Sequence, residues 1–347
     1  MLLLASAGYL DSLSWAQTSN NTCEATSTPI RIESSIGVDA LRARANCQNG
    51  GSLQAEWAGA AVTIDTPIAI ASGTFLSVTG DDALSEVQGG SQTRLFEVSP
   101  GGSLTLTLLK LSGGAAENGG AIYSDGANLT LDGCVFDGNV ATDGDGGAVW
   151  ADGGTVTIVG GEFLGNSATL NGGAVLATNA SLVVKEGARF DSNKATVGGA
   201  VYCSGLAQQA GVGLATGLGP PSCSIADAEF VSNNAARSSQ VDPLADFDVG
   251  GAAAFLHANV SVTRSVFIEN FALLSGGGLF GGNSTDIKVI GCTFENNTSA
   301  NGGAVTASSM TLGGGTRLRG NSVSGDGGAV SAWHCIILSA HYDVLLL

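Results

Sequence analysis

The side chains that could carry out catalysis are few and scattered in this sequence. Among 347 residues there are 30 acidic residues but only three histidines and four lysines. Sugar hydrolysis needs two carboxylic acids facing one bond, and a Ser or Cys nucleophile needs a base such as histidine beside it. His257, His334 and His341 have no such partner at a recognisable spacing, and no zinc-binding pattern of Cys and His is present. We therefore assign no catalytic residue, no metal ligand and no cofactor.

The seven cysteines predict disulfides and hence an oxidising compartment. Cys23 and Cys47 bracket an N-terminal segment, and Cys203 and Cys223 bracket a loop. Each of these two pairs is a disulfide candidate. Two further cysteines are expected to be buried free thiols: Cys134 and Cys292.

A column of aromatic side chains is the candidate binding surface. Four aromatic residues each follow the start of a Gly-Gly pair by four positions: Tyr123, Trp150, Tyr202 and Phe280. If the preceding aliphatic residue points inward, these residues point outward, where aromatic rings can stack on sugars. The alternative is that the rings pack against one another and the strand.

Two sequence motifs alternate along the chain. They indicate which strands and turns position the cysteines and the aromatic residues. Gly-Gly followed by a small and an aliphatic residue begins at 119, 146, 172, 198, 250, 276, 302 and 327, at intervals of 25–27 residues except for one of 52. Phe-x-x-Asn alternates with it, beginning at Phe136, Phe163, Phe190, Phe230, Phe267 and Phe294, with Leu318 and Asn321 as a seventh copy. The long interval contains one copy of each motif, so it is one repeat with insertions at 203–223 and 234–249.

A repeat of about 26 residues that contains three short strands predicts a parallel β-helix of about eight or more coils. Alternation places the phenylalanines in the core and the asparagines at a corner, where their amides can bond from coil to coil. The glycine pairs are expected to supply a positive φ or a close approach of two backbones.

The paired motifs resemble the repeats of chlamydial polymorphic outer-membrane proteins and of bacterial and algal right-handed β-helix surface proteins. This resemblance covers about residues 60–330. It implies an all-β, right-handed, pectin-lyase-like parallel β-helix and a role in adhesion.

The flanking segments and the composition indicate where the protein is located and which partners it can bind. Residues 1–16 form a possible signal peptide, 17–60 an N-terminal cap, 61–333 the β-helix and 334–347 an atypical tail, and the chain is expected to be a fragment of a longer one.

A net charge of −17 argues against nucleic acid and anionic membranes as partners. No apolar run reaches the roughly 20 residues that span a bilayer. Glycosylation sequons begin at Asn20, Asn128, Asn179, Asn259, Asn283, Asn296 and Asn297.

The sequence therefore predicts a secreted or cell-surface scaffold without catalytic activity, which binds glycans or other cell-surface or matrix proteins. The alternative is a carbohydrate-active enzyme, a polysaccharide lyase or glycoside hydrolase, on the same fold. A close cluster of acidic and basic side chains on one face would favour the enzyme. A face of Thr, Ser, Asn and aromatic residues would favour the scaffold.

Overall fold

Parallel β-strands account for nearly all of the regular structure. The computed structural model describes residues 29–46, 50–59, 61–81, 85–205, 220–236, 249–325, 328–338 and 345–346; for residues 283–284, 333, 338 and 345–346 it describes the backbone alone. Strands make up 55% and helix 4%, and the strands stack as a solenoid of about ten turns. The predicted all-β parallel β-helix is confirmed.

The first coils carry the one described helix. Their elements are β1 (Ile30–Ile32), α1 (Ser35–Ala45), β2 (Gly51–Trp57), β3 (Val62–Thr63), β4 (Ile68–Ile70), β5 (Thr74–Gly80), β6 (Glu86–Gln88), β7 (Phe96–Val98), β8 (Ser103–Thr107), β9 (Lys110–Ser112) and β10 (Ala115–Ala116). Strand β1 pairs with β2 and β2 with β5. Helix α1 buries Val38 and Leu41 against the same core as the coils.

The central coils repeat one pattern of four strands. These strands are β11 (Ile122–Asp125), β12 (Asn128–Asp132), β13 (Val135–Asp137), β14 (Val140–Ala141), β15 (Val149–Asp152), β16 (Thr155–Val159), β17 (Glu162–Leu164), β18 (Ser167–Ala168), β19 (Val175–Thr178), β20 (Ser181–Lys185), β21 (Arg189–Asp191), β22 (Lys194–Ala195), β23 (Val201–Ser204), β24 (Ser222–Ala226), β25 (Glu229–Val231), β26 (Asn234–Ala235), β27 (Ala253–Leu256), β28 (Asn259–Thr263), β29 (Val266–Ile268) and β30 (Phe271–Ala272).

In the last coils the first two strands of the pattern merge. The elements there are β31 (Leu279–Ile290), β32 (Thr293–Glu295), β33 (Thr298–Ser299), β34 (Val305–Gly313), β35 (Arg317–Arg319), β36 (Ser322–Val323), β37 (Val330–Leu338) and β38 (Leu345–Leu346).

The strands of all coils form three parallel sheets, which we number in the order that the chain enters them. Sheet 1 has nineteen strands, sheet 2 eleven and sheet 3 eight. Sheet 1 supplies two strands in each central coil because the chain bends at a residue with positive φ, such as Gly126, Gly153, Asn179 or His257. Each central coil thus has four strands where three were predicted. They lie in three sheets, as predicted, because the bend divides the segment in sheet 1 into two strands.

The core is built from columns of identical residues. The six phenylalanines of the Phe-x-x-Asn motif are fully buried, and successive rings stack at 4.7–4.8 Å between centroids. The seven motif asparagines form a ladder in which each Nδ2 donates to Oδ1 of the next at 2.8–3.0 Å. From Asn166 onwards, each Oδ1 also accepts the backbone N–H of the preceding asparagine. Both predicted positions, interior and corner, are confirmed.

The two glycines of a pair serve different purposes. The first glycine has positive φ in most coils, for example 63° at Gly146 and Gly172. The second glycine lies against the next coil: a Cβ at Gly147 would overlap the carbonyl oxygen of Gly173, and a Cβ at Gly173 that of Gly199. The glycine pairs were expected to supply a positive φ or a close approach of two backbones. The first glycine supplies the positive φ, and the second allows the close approach.

The described strands extend into three segments that were predicted to lie outside the regular coils. Strands β23 and β24 include both ends of the insertion at 203–223, and β26 lies within the insertion predicted at 234–249. At the other end, β37 pairs with β34 as far as residue 338, five residues into the segment predicted as a tail. Pairing with the preceding coil holds these residues in strands although the glycine and phenylalanine motifs are absent from them.

Candidate functional site

The predicted aromatic column lies in register on the outer face of sheet 1. Tyr123, Trp150, Leu176 and Tyr202 are successive Cα partners in β11, β15, β19 and β23. Their neighbour Ile122 is fully buried in the core, so alternation directs the column outward. The spacing in the sequence therefore gave the correct order and register of these residues along the solenoid axis.

The rings stack on one another, which changes the contact they can offer a ligand. Tyr123 and Trp150 are 4.3 Å apart between centroids and 6° from parallel. The guanidinium of Arg94 covers the other face of Tyr123, 4.6 Å from its centroid. Both faces of the tyrosine ring are thus occupied. The half-buried edges and polar atoms of the two rings remain, so the expectation of a ring face free to stack on sugar is wrong at Tyr123.

Farther along the column the side chains are packed rather than exposed. Phe280 is only 6% exposed and forms an apolar cluster with Val197 and Ala254, against which Tyr202 packs. The prediction of a surface role for Phe280 is therefore corrected. Burial raises the pKa of the Tyr202 hydroxyl, which agrees with its packed position.

A second polar ladder, which the sequence analysis missed, runs beside Tyr123 and Trp150. Asn118 Oδ1 accepts the backbone N–H of Asp145 at 2.9 Å. Asp145 Oδ1 in turn accepts the backbone N–H and Nδ2 of Asn171, each at 2.8 Å. All three residues immediately precede a Gly-Gly pair, and that shared position was the available signal. Burial raises the pKa of Asp145.

The ladder and the stacked rings form one continuous surface. Arg94 links them, since its Nη2 donates to the carbonyl oxygen of Asn118 at 3.1 Å while its guanidinium covers Tyr123. A Cβ at Gly119, which follows Asn118, would lie 3.1 Å from the Cβ of Trp150. We call this surface the corner strip and define it as Arg94, Asn118, Tyr123, Asp145, Trp150 and Asn171.

The corner strip is surrounded by carboxylates. Burial, and then the negative charges of Asp125, Glu97 and Asp152, raise the pKa of Tyr123. The charge of Arg94 opposes this shift, but Arg94 is itself paired with Glu97 at 3.7 Å. The strip therefore offers hydrogen-bonding groups and aromatic edges in a negative field.

Clusters of acidic and basic side chains lie on the outer face of sheet 2. Lys110 contacts Glu86 at 3.4 Å and Asp137 at 3.0 Å, on the coils either side of its own. The hydrogen bond to Asp137 raises the pKa of Lys110. A raised pKa keeps the ammonium protonated, which is the wrong state for a base.

A second cluster on this face is centred on Arg189. Its guanidinium contacts Asp191 at 2.6 Å and Glu229, one coil away, at 2.8 Å. The hydrogen bond to Asp191 raises the pKa of Arg189. These clusters are cations bound between carboxylates, and they connect neighbouring coils.

The predicted disulfide between Cys203 and Cys223 is present, with a Cα–Cα distance of 6.6 Å. Both cysteines are fully buried and face the core from β23 and β24, so the bond joins the two strands of one coil inside the solenoid. Cys23 and Cys47 lie outside the described residues. Cys134 and Cys292 are buried free thiols as predicted, and burial raises the pKa of each to about 11.

The sequons differ in exposure. Asn128, Asn259 and Asn296 are exposed, whereas Asn179 is half-buried and donates through Nδ2 to Asp152 at 2.8 Å. Asn297 belongs to the buried ladder and cannot accept a glycan in the folded chain. Asn20 and the side chain of Asn283 lie outside the described residues.

Metal-binding clusters and membrane-spanning helices are both absent from the described residues. No group of three or more His, Cys, Asp or Glu side chains in these ranges could hold a metal ion. Within the same ranges, no helix combines the length and apolarity needed to cross a membrane.

One segment matches the repeat of a known protein family, and the fold is similar to that of a solved structure. Residues 291–308 match the Chlamydia polymorphic membrane protein repeat, and this segment contains Phe294, Asn297 and the glycine pair at Gly302. A solved structure of a PL6 family alginate lyase is similar with a TM-score of 0.51 and 11% identity. The alignment covers 88% of this chain and 40% of the lyase, and at that identity it concerns the fold alone. No curated protein matches the sequence.

Proposed function

We propose that the protein is a secreted or cell-surface scaffold that binds neutral glycans along the corner strip and does not cleave them. The observation that carries this proposal is the stacked pair Tyr123–Trp150 beside the ladder Asn118–Asp145–Asn171. Recognition of a sugar needs apolar ring surface together with fixed hydrogen-bonding groups. Here the half-buried ring edges and the polar groups of the ladder come from neighbouring coils, at the spacing set by the sheet.

The electrostatics favour a neutral ligand. Asp125, Glu97 and Asp152 surround Tyr123, and the one cation of the strip, Arg94, is held by Glu97 and the Asn118 carbonyl. A uronic-acid polymer would meet like charges there and would find no free cation in the strip. Neutral hexose chains carry no such penalty.

Three features support a location outside the cytosol. The core disulfide Cys203–Cys223 requires an oxidising compartment for its formation. The sequons at Asn128 and Asn259 lie at the same position of two coils, on the exposed outer side of sheet 1. The matched repeat also belongs to a family described as membrane proteins. A surface location follows from this combination as part of the proposal.

A glycan array of neutral and uronic-acid oligosaccharides, followed by calorimetry of the retained ones, tests the binding. We expect retention of neutral chains, and a loss of affinity of at least tenfold in Trp150→Ala and Tyr123→Ala. Phe75→Ala is the matched control, because Phe75 is a 55% exposed aromatic outside the strip. Equal weakening by all three variants, or a preference for uronic acids, would refute the proposal.

A polysaccharide lyase or hydrolase is the second candidate, because the clusters around Lys110 and Arg189 bring acids and bases together on sheet 2. The raised pKa of Lys110 argues against it as a base. The same array ligands, incubated with the protein at pH 5–9 and analysed for reducing ends and unsaturated products, decide between the two. Product formation that disappears in Lys110→Met or Arg189→Met would establish the enzyme.

A further inference from the structure

The corner strip presents one unpaired polar atom in each of three successive coils. The ladder occupies Oδ1 of Asn118, Oδ1 of Asp145 and Nδ2 of Asn171. The other polar atom of each side chain, Nδ2 of Asn118, Oδ2 of Asp145 and Oδ1 of Asn171, has no hydrogen-bond partner among the described residues. None of these three atoms is enclosed by the protein. They are therefore available to a ligand.

These atoms repeat at the spacing of the coils. Successive coils lie 4.7–4.8 Å apart, as measured between ring centroids in the phenylalanine column. Tyr123 and Trp150 follow the same spacing beside the ladder, since they are Cα partners in adjacent coils. A ligand that makes the same contacts with every coil must therefore itself repeat about every 4.8 Å along the solenoid axis.

We infer that the ligand of the corner strip is a linear, β-1,4-linked chain of neutral hexoses that lies parallel to the solenoid axis. This inference rests on the glycan binding proposed above and adds the linkage and the direction of the chain. In such a chain each residue advances by close to one coil spacing, and hydroxyl groups line both edges. A hydroxyl group both donates and accepts, so it can pair with the amide nitrogen of Asn118 as well as with the oxygens of Asp145 and Asn171.

The straightness of the strip distinguishes this class of ligand from other neutral glycans. Strand β11 pairs with β15, and β15 with β19, without a shift in register. The strip therefore runs straight along the axis. An α-1,4-linked chain of the same sugar curves into a helix and soon leaves a straight line of contacts, whereas a β-1,4-linked chain stays extended over all three coils.

Both ends of the strip are closed, which limits the number of sugars that it can bind. At one end Arg94 covers Tyr123 and donates to the carbonyl oxygen of Asn118. At the other end, the residue before the next glycine pair is Val197, which is buried in an apolar cluster with Phe280. Affinity should therefore rise with chain length until the glycan spans the ladder, and then level off.

The test is calorimetry of the full chain with three series of oligosaccharides, each from the disaccharide to the hexasaccharide: β-1,4-linked glucose, β-1,4-linked mannose and α-1,4-linked glucose. In at least one β-1,4-linked series, we expect affinity to rise at least tenfold from the disaccharide to the tetrasaccharide and less than twofold beyond it. Maltohexaose should bind at least tenfold more weakly than the hexasaccharide of that series.

A variant at one end of the ladder tests the direction of the chain. Asn171→Ala removes the polar contact of the third coil, so it should weaken binding of the tetrasaccharide at least fivefold and that of the disaccharide less than twofold. Asn301→Ala is the matched control, because Asn301 is exposed and also precedes a glycine pair, the fourth after that of Asn171. If Asn171→Ala fails to fold, as judged by circular dichroism, the comparison of the three series in the unmodified chain decides the question.

Failure of this inference can be distinguished from failure of the proposed function. Affinity that does not depend on chain length, or equal binding of maltohexaose and the β-1,4-linked hexasaccharides, would overturn the inference and leave the proposed glycan binding intact. If no neutral glycan of the array binds, the proposed function fails, and this inference fails with it.

Discussion

Asn193 and Asn233 are 40 residues apart in sequence, yet Nδ2 of Asn193 donates to Oδ1 of Asn233 at 3.0 Å. The corresponding distance between Asn139 and Asn166, which are 27 residues apart, is also 3.0 Å. The ladder thus passes unchanged through the coil that contains the longest insertion. The structural unit is the coil, whatever length of chain lies between its strands.

Replacing Asn233 with alanine should lower the free energy of unfolding by about 2–4 kcal/mol, because it leaves buried donors of Asn193 without an acceptor. Urea unfolding followed by circular dichroism measures this change. The control is Asn234→Ala, since Oδ1 of Asn234 accepts no hydrogen bond; its effect should stay below about 1 kcal/mol. Equal effects of the two substitutions would contradict the role of the ladder.

The phenylalanine column should tolerate leucine but not alanine. Leu318 occupies the position after Phe294 in the column and is fully buried. We expect Phe190→Leu to cost about 1–2 kcal/mol of unfolding free energy and Phe190→Ala about 3–5 kcal/mol, because alanine leaves a cavity between two stacked rings. Thermal and urea unfolding of both variants check the order. Similar costs would show that stacking, rather than volume, dominates.

The two types of corner glycine should respond differently to substitution. A Cβ at Gly173 would overlap the carbonyl oxygen of Gly199, so Gly173→Ala should prevent normal stacking. Gly165 has φ of +58° with open space around it, and Ser192 occupies the equivalent position of the next coil with φ of +57°. Gly165→Ser should therefore fold at a cost of about 1 kcal/mol. Soluble yield and melting temperature distinguish the two outcomes.

The features that could be predicted from the sequence are those that recur in every coil. The columns of Phe and Asn follow from spacing alone, because in-register stacking puts equivalent residues above one another. The same reasoning placed Tyr123 beside Trp150.

Exposure within a column could not be predicted, because it depends on what lies beside each residue. Tyr202 and Phe280 share the register of Trp150, yet they pack with Val197 and Ala254. The ladder through Asp145 had a weaker signal, since the residue before the glycine pair is polar in some coils but Val197 in another.

Thiol reactivity should follow burial. Burial raises the pKa of Cys134 and Cys292 to about 11, so of the described free cysteines only Cys335 should react with a maleimide or aromatic disulfide reagent at pH 8. Mass spectrometry of labelled peptides identifies the modified residues. Labelling of Cys134 in the folded protein would contradict its placement in the core.

The same pKa shifts predict the dependence of stability on alkaline pH. The folded protein retains two thiol protons that the unfolded chain loses near pH 9. Their contribution to stability is therefore complete below pH 9 and declines as the pH rises from about 9 to about 11. In Cys134→Ala/Cys292→Ala, urea midpoints should fall less over this range than in the unmodified chain.

Stacking of the coils in register is the claim on which the corner strip depends, and a pair of cysteines tests it most directly. Thr130 and Thr157 are Cα partners on the outer face of adjacent coils, and strands about 4.8 Å apart suit a disulfide. Thr130→Cys/Thr157→Cys should oxidise to completion without loss of structure, whereas Thr130→Cys/Val183→Cys, two coils apart, should not. Oxidation of the second pair, or failure of the first, would contradict the register and the site built on it.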